Sequence, residues 1–95
     1  MLAYLIAEIE ITDPALYERY KPLAAAAIVA AGGRYLVRGG ETVAAEGAAP
    51  AGRLVVLEFP DLAAARAFYD GPGYAAARAI RERAATSRVL ITEGL

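Results

Sequence analysis

Gly32-Gly33-Arg34-Tyr35-Leu36-Val37-Arg38-Gly39-Gly40 is a short run of strand character bracketed by two glycine pairs, and the chain can be read outward from it. The first pair follows an alanine-rich segment and suits the left-handed turn that closes a helix, while the second lets the strand bulge or bend. Alternation puts Arg34, Leu36 and Arg38 on one face and Tyr35 with Val37 on the other, so two guanidinium groups are expected to look the same way. A solvated sheet face would explain such a pattern, because antiparallel sheets commonly leave one side to water. The neighbouring strands argue otherwise.

Upstream, Tyr4 to Ile11 alternates, with Leu5, Ala7, Ile9 and Ile11 on one side and Tyr4, Ile6, Glu8 and Glu10 on the other, which predicts a first strand. Thr12-Asp13-Pro14 reads as a helix start, since Asp13 can accept from free N–H groups and proline suits the first helical position. The helix should run to about Ala31 with Tyr17, Tyr20, Ala24, Ala27, Ile28 and Ala31 as its inward stripe. Pro22 would cost about 3 kcal/mol in a helix interior, so a kink or restart is expected near Lys21. Downstream, Thr42-Val43-Ala44 can prolong the strand around Leu36 before an Ala/Gly/Pro turn. The nearly continuous apolar run Leu54 to Phe59 predicts a central strand stopped by Pro60. Asp61 caps a helix through Asp70, Gly71-Pro72 breaks and restarts it with Tyr74, Ala77, Ile80 and Ala84 facing inward, and Arg88 to Glu93 is the last strand.

Strand, helix, strand, strand, helix, strand over residues 1–95 describes one α+β domain: a ferredoxin-like βαββαβ fold with a four-stranded antiparallel sheet and helices on one face. A chain of 95 residues buries only about 60 to 65 per cent of its unfolded surface alone, so association would help it. The 58% hydrophobic content overstates the core, because alanine supplies a quarter of the chain.

Composition also removes function classes. A net charge of -1 with both signs scattered leaves no basic stripe, so nucleic acid is not an expected partner. With neither Cys nor His the chain lacks thiolate nucleophiles, the commonest metal and haem ligand and the usual neutral-pH base, so no metal and no cofactor is expected. Ser87 is the single serine and has no histidine to activate it, which sets aside a hydrolase triad. Leu2 to Ala7 is apolar but Glu8 interrupts it far short of a membrane span of about 20 residues, so no membrane association is expected and the cytoplasm is the expected location.

The segments Tyr4-Leu5-Ile6-Ala7-Glu8-Ile9-Glu10, Thr12-Asp13-Pro14, Gly32 through Gly40, Leu57-Glu58-Phe59-Pro60-Asp61 and Ala67-Phe68-Tyr69 together resemble domain-of-unknown-function family 1330 over essentially the whole chain. The resemblance implies a homodimeric α/β barrel, in which two ferredoxin-like sheets pack face to face around a cavity. Gly71 and Gly73 flank Pro72 where similar chains carry a helix-favouring polar pair, a departure that bears on the continuity of the second helix.

On that arrangement the helix-covered face takes Leu5, Ala7, Ile9, Tyr35, Val37, Val55, Leu57, Phe59, Val89 and Ile91. The barrel-facing side is an apolar wall carrying a few charges, on which Glu8, Glu58 and Arg38 are expected to converge. A paired ion cluster inside a filled barrel would need no ligand. In the functional reading these three are the catalytic candidates: Arg38 holds an anionic or enolic oxygen and Glu8 or Glu58, its pKa raised, acts as base. Arg34 and Arg38 with Ile6, Leu36 and Val56 are the ligand-binding candidates for a small, largely apolar anion. Tyr17, Tyr20, Tyr69 and Tyr74, at helical spacing, read as core or rim. Two function classes therefore stand side by side: a cofactor-free isomerase or monooxygenase acting on a small enolic or aromatic acid, and a non-catalytic binding or interaction module. The first rests on analogy of fold, which does not by itself fix function.

Overall fold

A computed structural model describes residues 1–95. Strand β1 (Ala3–Ile11) leads into helix α1 (Pro14–Ala30), followed by β2 (Arg34–Arg38) and β3 (Arg53–Phe59), then helices α2 (Leu62–Asp70) and α3 (Pro72–Ala84), and finally β4 (Ala85–Glu93). The strands form one antiparallel sheet in the order β2-β3-β1-β4, with β1 and β3 central. This is the ferredoxin-like arrangement anticipated from the chain order. No helix is long and apolar enough to cross a membrane.

Local chemistry accounts for the helix boundaries. Asp13 accepts from the backbone N–H of Leu16 at 3.1 Å and Asp61 from that of Ala64 at 2.7 Å, so each side chain satisfies a donor the first helical turn leaves free. The first helix runs unbroken through Pro22, against the expected restart near Lys21. Glu18, whose carbonyl loses its helical donor at Pro22, and Pro22 itself are both exposed, so water can take the orphaned acceptor. The second helix does break at Gly71, where a Cβ would stand 2.4 Å from the Ala67 carbonyl oxygen. Thr42-Val43-Ala44 adds nothing to β2, which stops at Arg38, whereas β4 begins three residues before Arg88 and pairs with β1 along its whole length.

Between the helices and the sheet lies a core built on Leu5, Ala7, Ile9, Val55, Leu57, Phe59, Phe68 and Tyr74, with α1 contributing Tyr17, Tyr20, Ala24 and Ile28. Phe59, Phe68 and Tyr74 stack in series, with centroids 5.1 and 4.5 Å apart. Gly52 joins the loop before β3 to this frame. Its φ of +119° lies outside the range L side chains adopt readily, and a Cβ there would sit 2.2 Å from the Ile9 carbonyl oxygen. Gly52→Ala is expected to lower stability by more than about 2 kcal/mol. Gly47→Ala, at φ +75° in open space, should cost only about 1 kcal/mol. Urea denaturation midpoints of the two variants compare them directly, and equal midpoints would contradict the packing argument.

Candidate functional site

The decisive local feature is a register shift in β2. Arg34 faces Glu58 and Tyr35 faces Leu57, but the next paired residues are Val37 opposite Val56 and Arg38 opposite Val55, so β2 carries one extra residue at Leu36. A bulge of this kind turns every later side chain to the other face. Val37 therefore leaves the helix-covered face expected for it and stands against Val56, while Arg38 moves to that covered side. There its guanidinium lies 4.3 Å from the Tyr35 ring centroid.

The expected cluster of Glu8, Glu58 and Arg38 is consequently not formed. Glu58 binds Arg34 through Nε at 2.9 Å and Nη2 at 3.5 Å, and Glu8 binds Arg88 Nε at 2.6 Å. Tyr4 is opposite Glu58 and Glu8 is opposite Leu54, which sets the two carboxylates four residues apart along paired strands, about 13 Å. Each is matched by its own arginine on the open face, and Arg38 is on the opposite side. Of the expected ligand-binding residues, Ile6, Leu36 and Val56 do share the open face with Arg34, separated from Arg38 by the thickness of the sheet.

The side to which Arg38 moves holds a different constellation. A cavity of about 40 Å³ between the helices and the sheet is lined by four cations, Lys21, Arg38, Arg53 and Arg81, and by five tyrosines, Tyr17, Tyr20, Tyr35, Tyr69 and Tyr74. No aspartate or glutamate lines it. Lys21 is paired with Glu18 at 2.9 Å, but Arg38, Arg53 and Arg81 belong to none of the four ion pairs in the chain.

Arg81 is the most unusual of these, being 6% exposed without a carboxylate partner. Its Nη1 donates to the Tyr74 hydroxyl at 2.9 Å and its Nη2 to the Tyr69 hydroxyl at 3.3 Å, while its buried Nε has no acceptor in the protein. Tyr74 in turn shares a 2.6 Å hydrogen bond with the hydroxyl of Tyr20. Burial opposes the Arg81 charge, whereas the hydrogen bond to Tyr69 and, at high pH where the phenols ionise, the charges of Tyr74, Tyr69 and Tyr20 raise the group's pKa above the ordinary arginine value. Burial, followed by Tyr74, pushes the Tyr20 hydroxyl well above the usual phenol range. Tyr17 and Tyr35 are raised by burial too, with Arg53 and Arg38 respectively working in the other direction. Near neutral pH these phenols keep their protons, so the cavity presents fixed positive charge and O–H donors. That combination suits an oxyanion.

The sequence reading missed this site, although two signals pointed to it. On α3 the spacing 74, 77, 81, 84 runs three, four, three, and the buried residues are Tyr74, Ala77, Arg81 and Ala84. Choosing Ile80 for that stripe followed hydrophobicity where the spacing favoured Arg81. Arg53 alternates in phase with Val55, Leu57 and Phe59, which places it on the covered face. Its Nε is likewise buried without an acceptor.

Solved structures share this architecture. A protein of unknown function from Rhodopseudomonas palustris superposes with a TM-score of 0.73 at 18% identity, over 99% of this chain and 82% of that one. A dimeric ferredoxin-like protein of unknown function from Jannaschia sp. CCS1 gives 0.68 at 17%, covering 99% of this chain and all of the other. SnoaB, a cofactor-independent oxygenase from Streptomyces nogalater, gives 0.66 at 14%, over 99% and 93%. At these identities the likeness is one of fold. No curated protein matches the sequence. Residues 2–95 match the family model described as Domain of unknown function (DUF1330), and the chain belongs to that family.

Proposed function

We propose that this protein binds a small enolic or aromatic acid with its anionic group in the cavity between helices and sheet, and acts on its enolate as a cofactor-free isomerase or monooxygenase. The observation that carries the reading is the buried Arg81, set among phenols and beside Arg53 and Arg38 with no carboxylate facing any of them. Such charge favours the ionised form of a bound enol and so lowers its pKa, which is the demanding step in enolate chemistry. The likeness in fold to a cofactor-independent oxygenase supports the reading as analogy. Arg38 keeps the oxyanion-holding role first considered for it, now on the helix-covered side of the sheet.

One observation favours the second reading, a binding module without turnover: no carboxylate or histidine faces the cavity to accept a substrate proton. Phenylpyruvate, an enolisable aromatic acid, separates the two. Titration calorimetry should detect its binding, and NMR in heavy water should show faster exchange of its benzylic hydrogens with protein than with buffer. Binding without accelerated exchange would favour the module. Phenylpyruvate and benzoate binding no more tightly than neutral benzamide would remove the anion site altogether.

We further infer that the open sheet face pairs with a second copy of the chain. Its centre is apolar, with Leu36 45% and Leu90 49% exposed around Ile6, Leu54 and Val56. The ion pairs Arg34–Glu58 and Arg88–Glu8 flank that centre.

A further inference from the structure

The cavity around Arg81 has room for about 40 Å³, enough for two or three waters or one carboxylate and too little for a ligand body. Immediately beyond it lies a second space of about 610 Å³, an open apolar groove where α1, α2 and α3 meet, walled by Leu23, Ala27, Ala30, Ala64, Ala67 and Ala76. Phe68 and Tyr74 line both spaces and are the rings that divide them. Tyr74 is tied down by hydrogen bonds to Tyr20 and Arg81, whereas Phe68, a core residue with no polar anchor, stacks 5.1 Å from Phe59 and 4.5 Å from Tyr74.

From this geometry we infer that the ligand is an amphipathic acid, whose anionic group enters the cavity at Arg81 while its apolar body lies in the groove between the helices, with Phe68 as the ring that turns aside to admit it. The inference rests on the anion-binding reading above and specifies the class of acid. Two independent features meet here. A nearly buried guanidinium with an unpartnered Nε lines the cavity, and an alanine-walled trough adjoins it across two side chains. The trough is wide because the facing helices present alanines, whose small side chains leave a large hollow unfilled. A short polar anion would leave that apolar surface in water, and a neutral hydrocarbon would leave Arg81 uncompensated. An acid with an apolar tail satisfies both.

The test is calorimetric titration with acetate, hexanoate and decanoate, the last kept below its micelle concentration, and with decanol as the neutral control. Affinity should rise about three- to fourfold per buried methylene, so decanoate should bind roughly a hundredfold more tightly than hexanoate. Decanol should bind at least about tenfold more weakly than decanoate, since it lacks the charge that Arg81 receives. Ala30→Phe and Ala76→Phe both fill the trough from exposed positions where folding should tolerate them. These variants should keep acetate binding and lose most of the gain from hexanoate to decanoate. Equal affinities across the acid series, or a gain with length that survives both substitutions, would overturn the groove assignment and leave the cavity as an anion site. If acetate, benzoate and decanoate all fail to bind, the anion-binding reading falls and the groove assignment falls with it.

Discussion

Arg81→Met should raise the thermal midpoint of the ligand-free protein and abolish its response to benzoate, two effects of opposite value to the molecule. Arg81 is only 6% exposed, and its guanidinium's partners in the fold are phenol hydroxyls, at 2.9 and 3.3 Å. Taking such a charge from water costs several kcal/mol even after relaxation, and neutral dipoles return only part of that cost. Methionine keeps the apolar stem and its packing beside Tyr74 while removing the charge, and exchanging whole buried ion pairs or triads for apolar side chains is often neutral or stabilising by about 1 to 4 kcal/mol. A gain of about 1 kcal/mol would move the midpoint by about 4 to 8 °C in a domain of this size. The wild-type midpoint should rise with benzoate concentration and that of the variant should not. Scanning calorimetry with and without benzoate reads both quantities. Destabilisation by more than about 2 kcal/mol would mark Arg81 as a structural strut for Tyr74 and Tyr69, and a surviving benzoate response would place the anion elsewhere.

Val56→Asp should convert a dimer to a monomer. Val56 stands on the open face opposite both Ile6 and Val37, at the centre of the apolar area and away from the arginines at its edges. If that face closes against a second copy, each new carboxylate is buried with no partner, twice over by symmetry. At about 3 kcal/mol or more per interface, the dissociation constant should rise by more than a hundredfold. Light scattering coupled to gel filtration at micromolar concentration should show twice the chain mass for the wild type and for Ala63→Asp, an exposed substitution on α2, and a single chain mass for Val56→Asp. A monomeric wild type would leave the open face unpartnered and would separate this chain from the dimeric habit of its fold neighbour in Jannaschia.

Period-two alternation in β1 and β3, the aspartate caps at positions 13 and 61 and the break at Gly71-Pro72 were sufficient to read the fold from the chain alone. Each is a local signal whose physical cause lies within a few residues. The order of elements then limits the sheet to few topologies, and β1 and β3 fall at its centre as their apolar runs require. Arg53 and Arg81 were also within reach, since strand phase and helical spacing put both on covered faces. Their charge argued against burial, and only the assembled core shows that tyrosines from α1, α2 and α3 surround Arg81 closely enough to hold it there.

The position of Arg38 could be decided only in the tertiary structure. Alternation within β2 assigns it to the side of Arg34, and nothing in Tyr35-Leu36-Val37 announces an extra residue, because a bulge is a property of two strands in register. The match of Arg34 with Glu58 at one end and of Arg38 with Val55 at the other leaves β2 one residue longer than the stretch of β3 it faces. That single residue divides the two arginines between opposite faces, giving one to an ion pair at the edge of the open sheet and the other to the rim of the cationic cavity.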